Sequence, residues 1–390
     1  MNERELFEGA LEISDPVERR TYLDKSCGGD TALRARIEAL LASHENASQF
    51  LNVPVAEQLG TPAPDDGLST VDMPWKRRAE VDDDEAPTAP DLSFLQSSAK
   101  PGSIGMLGHY EILQVLGQGA FGIVFKAFDE KLHRFVAIKA MNPQLAATSP
   151  PRKRFLREAR SVAAIKHENI VQVYSVEEQP LPYLVMEFID GETLQQKLDS
   201  SGPLDAAEIL HLGRQIANGL AAAHARGLIH RDIKPGNILL EAGAEQKVKI
   251  TDFGLARAAD DASMTRTGMI AGTPMYMAPE QAMGQTLDHR ADLFSLGSVL
   301  YQMASGRPPF RASTMIAVLK RVADETPRPI QEILPEVPDW LCEIIAKLHA
   351  KKPADRFQSA KEVGDLLAKC QTSPPSSPVA PRQESRPSQD

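Results

Sequence analysis

The chain has 390 residues, 42% hydrophobic and 25% charged, enough for roughly two or three soluble domains with a sizeable core. A formal charge of -10, with no block of concentrated lysine and arginine, excludes a nucleic-acid binder that works by counterion release. The three cysteines, Cys27, Cys342 and Cys370, have no CxxC spacing, so neither a disulfide framework nor a zinc site is expected. An acidic N-terminus without an apolar signal core, and the lack of any run of about 18 apolar residues, point to a cytoplasmic chain with no membrane span.

Residues 1–51 read as an N-terminal helical module. Asp15, Pro16 and Glu18 supply an N-cap, a first-turn proline and a capping-box acid. A second start at Asp30 leads into Leu33, Ile37, Leu40 and Leu41, the spacing of one apolar helix face. The module is either a docking unit for a partner or a packed extension of the main domain. Residues 52–105, rich in Pro, Ser and Asp, read as a disordered linker, because such a composition buries too little apolar surface to offset chain entropy. The basic patch "WKRR" at 75–78 reads as a solvated part of that linker.

"YEILQVLG" is β-rich and runs into glycines 117, 119 and 122, a Gly-x-Gly-x-x-Gly spacing that signals phosphate. The next stretch alternates, with Ile123, Phe125 and Ala127 on one face and Val124, Lys126 and Phe128 on the other, which is strand period. The glycines therefore join two antiparallel strands, whereas a dinucleotide turn needs a helix at that place. Glycines there let backbone N–H groups approach phosphate oxygens closely. A third β-rich stretch, "FVAIKAM", carries Lys139, and the run "RKRFLREARSVAAI" is helical and carries Glu158. The final segment, 371–390, is of low complexity and reads as a disordered tail.

Four motifs follow one another: "VAIK" at 136–139, "HRDIKPGN" at 230–237, "DFG" at 252–254 and "APE" at 278–280. In this order they resemble the protein kinases. With "AGTPMYMAPEQ" the chain is most similar to the bacterial serine/threonine kinases of eukaryotic (Hanks) type, over Tyr110 to Cys370. The resemblance implies a two-lobed α+β fold: a β-rich lobe over 110–189, a helical lobe over 190–370, and ATP with Mg²⁺ between them. It implies transfer of the γ-phosphate of Mg-ATP to Ser or Thr hydroxyls of protein substrates.

It also implies roles for single residues. Lys139 grips the α- and β-phosphates and Glu158 holds it, although Glu158 also stands four residues after Arg154, a spacing that suits a helical ion pair. Asp232 orients the attacking hydroxyl, Lys234 balances charge at the transferred phosphate, and Asn237 and Asp252 are oxygen ligands for Mg²⁺. Gly117, Gly119 and Gly122 cover the phosphates. Leu116, Val124 and Ala137 form the roof of an adenine slot and Leu239 its floor; Met186 stands at its back, and the Glu187 carbonyl and Ile189 N–H face the purine edge. Asp190, Glu192 or neither reaches the ribose. His230 and Phe253 are packing residues, Glu280 pairs with Arg356, and Asp292 anchors the catalytic loop.

In the activation segment, Arg231 is a partner for a phosphate on Thr265 or Thr267, so autophosphorylation there is expected to raise activity. Alternatively these threonines and Ser263 are ordinary solvated hydroxyls. Thr273 is implied to position the substrate hydroxyl. Two rival functions stay open: a pseudokinase scaffold that binds nucleotide and signals by shape, and an adaptor acting through residues 1–51.

Overall fold

The computed structural model describes residues 91–372 except 120–121, 244 and 254–273, together with residues 21–23, 25–26 and 34. The chain divides into two compact units, Met1–Ala86 and Pro87–Asp390. In the first, the described residues are helical and Leu23 is buried. Most of the module and the linker, and the tail beyond residue 372, lie outside the described residues.

The second unit opens with a six-stranded antiparallel sheet: β1 (Gly105–Leu107), β2 (Tyr110–Gly119), β3 (Gly122–Asp129), β4 (Arg134–Met141), β5 (Val173–Glu177) and β6 (Tyr183–Glu187), in the order β1-β2-β3-β4-β6-β5. Alternation in β3 decides its orientation: Ile123, Phe125 and Ala127 are buried while Val124, Lys126 and Phe128 are only partly covered. After β4 come the short helix α1 (Pro143–Ala146) and the longer α2 (Ser149–Ala163), which buries Phe155, Leu156, Ala159 and Val162.

Residues 91–104, expected within the disordered linker, are instead packed on this sheet. Gln96 exchanges two backbone hydrogen bonds with Met106, the Phe94 ring meets Phe125 edge-on at 6.3 Å, and Lys100 pairs with Glu111 and Glu130. Composition is a regional average. Here Leu92, Phe94 and Leu95 suffice to cover a sheet face that needs only a short strap.

The lower lobe begins at β7 (Gly191–Thr193), which forms a small sheet with β8 (Ile238–Glu241) and β9 (Val248–Ile250). Its helices are α3 (Leu194–Ser201), α4 (Ala206–His224), α5 (Pro279–Ala282), α6 (Arg290–Ser305), α7 (Met315–Asp324), α8 (Asp339–Leu348) and α9 (Ala360–Thr372). Caps set where they start: Thr193 and Gln196 form a reciprocal capping box on α3, and the Asp205 carboxylate accepts from Glu208 N at 2.8 Å on α4. Every residue of α6 from Ala291 to Ser305 is buried, so this helix is the axis of the lobe. The lobes are tied by Val171 N donating to Ile250 O at 3.0 Å and by the Glu187–Lys249 ion pair at 2.9 Å.

Two buried polar contacts hold the segments around α6. Arg356, 2% exposed, donates from both terminal nitrogens to the Glu280 carboxylate at 2.7 and 2.8 Å, and also to the carbonyls of Ala350, Lys351 and Arg290. The Arg356→Met variant, which leaves a buried carboxylate without its cation, should lose about 3–5 kcal/mol in urea denaturation. His349 is buried against Phe294 with Nε2 3.1 Å from Ser298 Oγ. Burial, reinforced by the charges of Lys351 and Arg356, pushes its pKa down to about 3. The unfolded chain therefore binds a proton below pH 6.5 that the folded chain refuses, and stability falls as pH falls through that window. Between pH 6.5 and 5, wild type should lose roughly 2 kcal/mol more than His349→Gln, measured by denaturant titration at each pH.

Candidate active site

The cleft between the lobes has a volume of about 350 Å³. Leu116, Gly117, Val124 and Ala137 from the upper sheet, Glu187 at the end of β6 and Ile189 just after it, and Leu239 and Asp252 from below all line it. Ala137, Val171 and Met186 form a buried apolar cluster against which Val124, Phe188, Ile189 and Leu239 pack. This is a flat slot with an apolar interior and polar backbone at one edge. Met186 also lines a cavity of about 20 Å³ shared with Lys139, Asp252 and Phe253. Sequence reasoning missed Val171, Phe188, Thr193 and Gln196 as lining residues. Val171 carried one signal, its place in a β-rich run after α2; the other three are set by how the segment between the lobes turns.

The expected polar residues form a continuous hydrogen-bonded chain. Lys234 Nζ donates to Asp232 Oδ2 at 2.8 Å, and Asn237 Nδ2 donates to the same oxygen at 2.9 Å and to Asp232 O at 2.7 Å. Thr251 N donates to Asn237 O at 3.0 Å, which fixes the neighbouring Asp252, and Asp252 Oδ1 pairs with Lys139 Nζ at 2.8 Å. Burial raises the Asp252 pKa, but the Lys139 charge and hydrogen bond, with the charges of His230 and Lys234, overcome that and hold it below the usual carboxylate value.

The backbone that presents these groups is strained and held. Arg231 and Asp252 have φ of +70° and +65°, a region that side chains seldom adopt. Asp292, at 0% exposure on α6, accepts from His230 N and Arg231 N at 2.8 Å each, and His224 Nε2 lies 2.8 Å from its Oδ2. His230 Nε2 reaches Thr251 O at 2.8 Å, and the His230 and Phe253 rings meet at a tilt of 52° with centroids 4.5 Å apart.

One expectation needs correction. Lys139 was expected to be held by Glu158; among the described residues its ion pair goes to Asp252, the carboxylate that shares its cavity wall, while Glu158 is buried on α2. At Gly122, one of the three glycines of the phosphate-like pattern, a Cβ would stand 2.0 Å from Ala140 O. The close approach of β3 to β4 by itself demands a glycine there. Gly119, paired with Gly122 across the turn, has open space around it and is not among the cleft's lining residues. Ser263, Thr265, Thr267 and Thr273 lie outside the described residues.

The donor set fits a hard cation. Asn237 spends its amide nitrogen on Asp232, so its Oδ1 is the atom left to coordinate, and Asp252 keeps Oδ2 beside the oxygen given to Lys139. Two oxygen ligands, completed by phosphate and water, suit Mg²⁺.

A family model described as protein kinase domain matches residues 110–367. The chain belongs to the protein kinase family. It is 38% identical to serine/threonine-protein kinase PknB of Mycobacterium leprae over 276 residues, covering 69% of this chain and 44% of that relative. It thus spans less than half the length of that curated relative. The crystal structure of the Mycobacterium tuberculosis PknI kinase domain is similar at a TM-score of 0.55 and 28% identity, over 70% of this chain and 99% of that one. Rad53 1-466 in complex with AMP-PNP is similar at a TM-score of 0.56 and 27% identity, over 66% of this chain and 64% of that one.

Within the kinase domain, removing the ammonium should expose the cost of burying Asp252. In Lys139→Met the Asp252 carboxyl should titrate at higher pH than in wild type, followed by carboxyl-carbon NMR and assigned with Asp252→Asn. An unchanged titration would show that the pair does not set that charge.

Proposed function

We propose that this chain transfers the γ-phosphate of Mg-ATP to Ser or Thr hydroxyls of proteins. The observation that carries the proposal is the unbroken chain of contacts from Lys234 through Asp232, Asn237 and Thr251 to Asp252 and Lys139, along the floor of a slot sized for a purine. The naming of its relatives as serine/threonine kinases, and a nucleotide analogue on a structural neighbour, support the same choice.

Phosphoryl transfer asks the protein mainly for positioning and charge stabilisation. Asp232 commits Oδ2 to Lys234 and Asn237, which leaves Oδ1 to accept the hydrogen of the incoming hydroxyl and aim its oxygen. Lys234, held beside that carboxylate, balances charge that develops on the transferred group. Mg²⁺ held by Asn237 and Asp252 would supply neutralisation of the phosphate oxygens. Lys139 and Asp252 already hold each other, so each arrives positioned, the one for a phosphate and the other for the cation. Autophosphorylation of Thr265 or Thr267 beside Arg231, a docking partner for residues 1–51 and cytoplasmic residence belong to the same proposal. Among the described residues no helix is long and apolar enough to cross a membrane.

The Asp232→Asn variant should bind Mg-ATP nearly as wild type does and lose about 100-fold or more of transfer to a generic Ser/Thr acceptor, read by radiolabel. Nucleotide binding by the wild-type chain with no label on itself or an acceptor would instead favour a scaffold.

A further inference from the structure

A second cavity, of about 390 Å³, lies in the lower lobe and shares no lining residue with the nucleotide cleft. Its walls come from the end of α6 (Tyr301), the segment 326–331 and α8 with the residues just after it. Hydrogen bonds keep those walls apart. Tyr301 Oη donates to Arg328 O at 2.8 Å, and Gln331 Nε2 donates to Val337 O at 3.0 Å and to Asp339 at 2.6 Å. Pro327 and Pro329 flank Arg328 and restrict its backbone. The cavity is therefore formed before any ligand arrives, and its volume falls within the range of small-molecule sites.

Its lining is mainly apolar, with Ile330, Ile345, Ala346 and Cys342 as its aliphatic and thiol surface. The charged groups are of one sign: Arg328 and Lys351 line it and no carboxylate does. Glu332, outside the lining, pairs with Arg328 Nε at 3.1 Å, and Lys351 Nζ donates to Val322 O at 2.7 Å. No described residue accepts from Arg328 Nη1, and the Arg328 side chain is 63% exposed at the mouth.

We propose that this cavity binds an amphipathic organic anion, with an acyl or aryl body on Ile330, Ile345 and Cys342 and a carboxylate or similar oxyanion on the Arg328 guanidinium. A carboxylate at the mouth gains a charge-assisted hydrogen bond, and an apolar body displaces water from a surface with few polar partners to offer it. Lys351 contributes positive charge from the wall, its ammonium held by Val322 O and over the Phe310 ring; burial pushes its pKa down to about 8, still above neutral pH.

The test uses the full chain and sodium decanoate below its micellar concentration, with decanol as the uncharged counterpart, both followed by calorimetric titration. Ala346 is exposed on α8, so Ala346→Trp fills the cavity without disturbing the core. Decanoate should bind wild type, and decanol should bind at least about fivefold more weakly, consistent with loss of a charged hydrogen bond. Ala346→Trp should weaken decanoate about tenfold or more while its thermal midpoint without ligand stays within roughly 2 °C of wild type. Arg328→Gln should remove the preference for decanoate over decanol, and saturating Mg-AMP-PNP should leave decanoate affinity unchanged. Decanoate should also slow alkylation of Cys342 by N-ethylmaleimide, read by peptide mass spectrometry. No binding to wild type, equal binding to Ala346→Trp, or displacement by AMP-PNP would overturn the proposal; decanol binding as tightly as decanoate would overturn its anionic part.

Discussion

The active site depends on one buried carboxylate. Asp292 sits on a helix with no solvent-facing side, and charge there is costly unless it is fully used. It is used three times: by His230 N, by Arg231 N and by the His224 ring. Burial raises its pKa, and His224, His230 and the Arg231 N–H together overcome that and hold it ionised. The two backbone bonds fix the chain leading into a left-handed Arg231, and that turn delivers Asp232 to its position.

From there positioning passes along the polar chain to the upper lobe. Asn237 holds Asp232 by side chain and Thr251 by backbone; Asp252 then reaches across to Lys139 on β4. Each link is short and partly shielded from water, so each is stronger than its equivalent in bulk solvent. The lower lobe can keep this geometry because α6 is itself clamped: Glu280 and Arg356 bind the segment before it to the segment before α9. The second cavity shares this helix, since Tyr301 lines it nine residues beyond Asp292.

Much of this was legible in the residues. The period of Ile123, Phe125 and Ala127 gave a strand, and that choice separated a kinase-like hairpin from a dinucleotide turn. The motif set named Asp232, Asn237 and Asp252, and the family resemblance supplied the Glu280–Arg356 pair and the role of Asp292. What was not legible depends on distances between segments remote in sequence. Gly122 lies in a phosphate-like pattern, but its Cβ space is taken by the Ala140 carbonyl, which only the β3–β4 register reveals. The partner of Lys139 depends on how far α2 stands from β4, and no motif encodes a distance. The strap at 91–104 has linker composition and three well-placed apolar side chains, and composition cannot weigh placement.

The grip of Asp292 on the catalytic loop is most directly tested by amide hydrogen exchange at His230 and Arg231, with β3 and β4 as internal references. In wild type these two amides should exchange slowly because they donate to a buried carboxylate. In Asp292→Asn, which turns one acceptor into a donor, they should exchange about tenfold faster or more while β3 and β4 keep their protection. Unchanged protection of both loop amides in that variant would contradict the account.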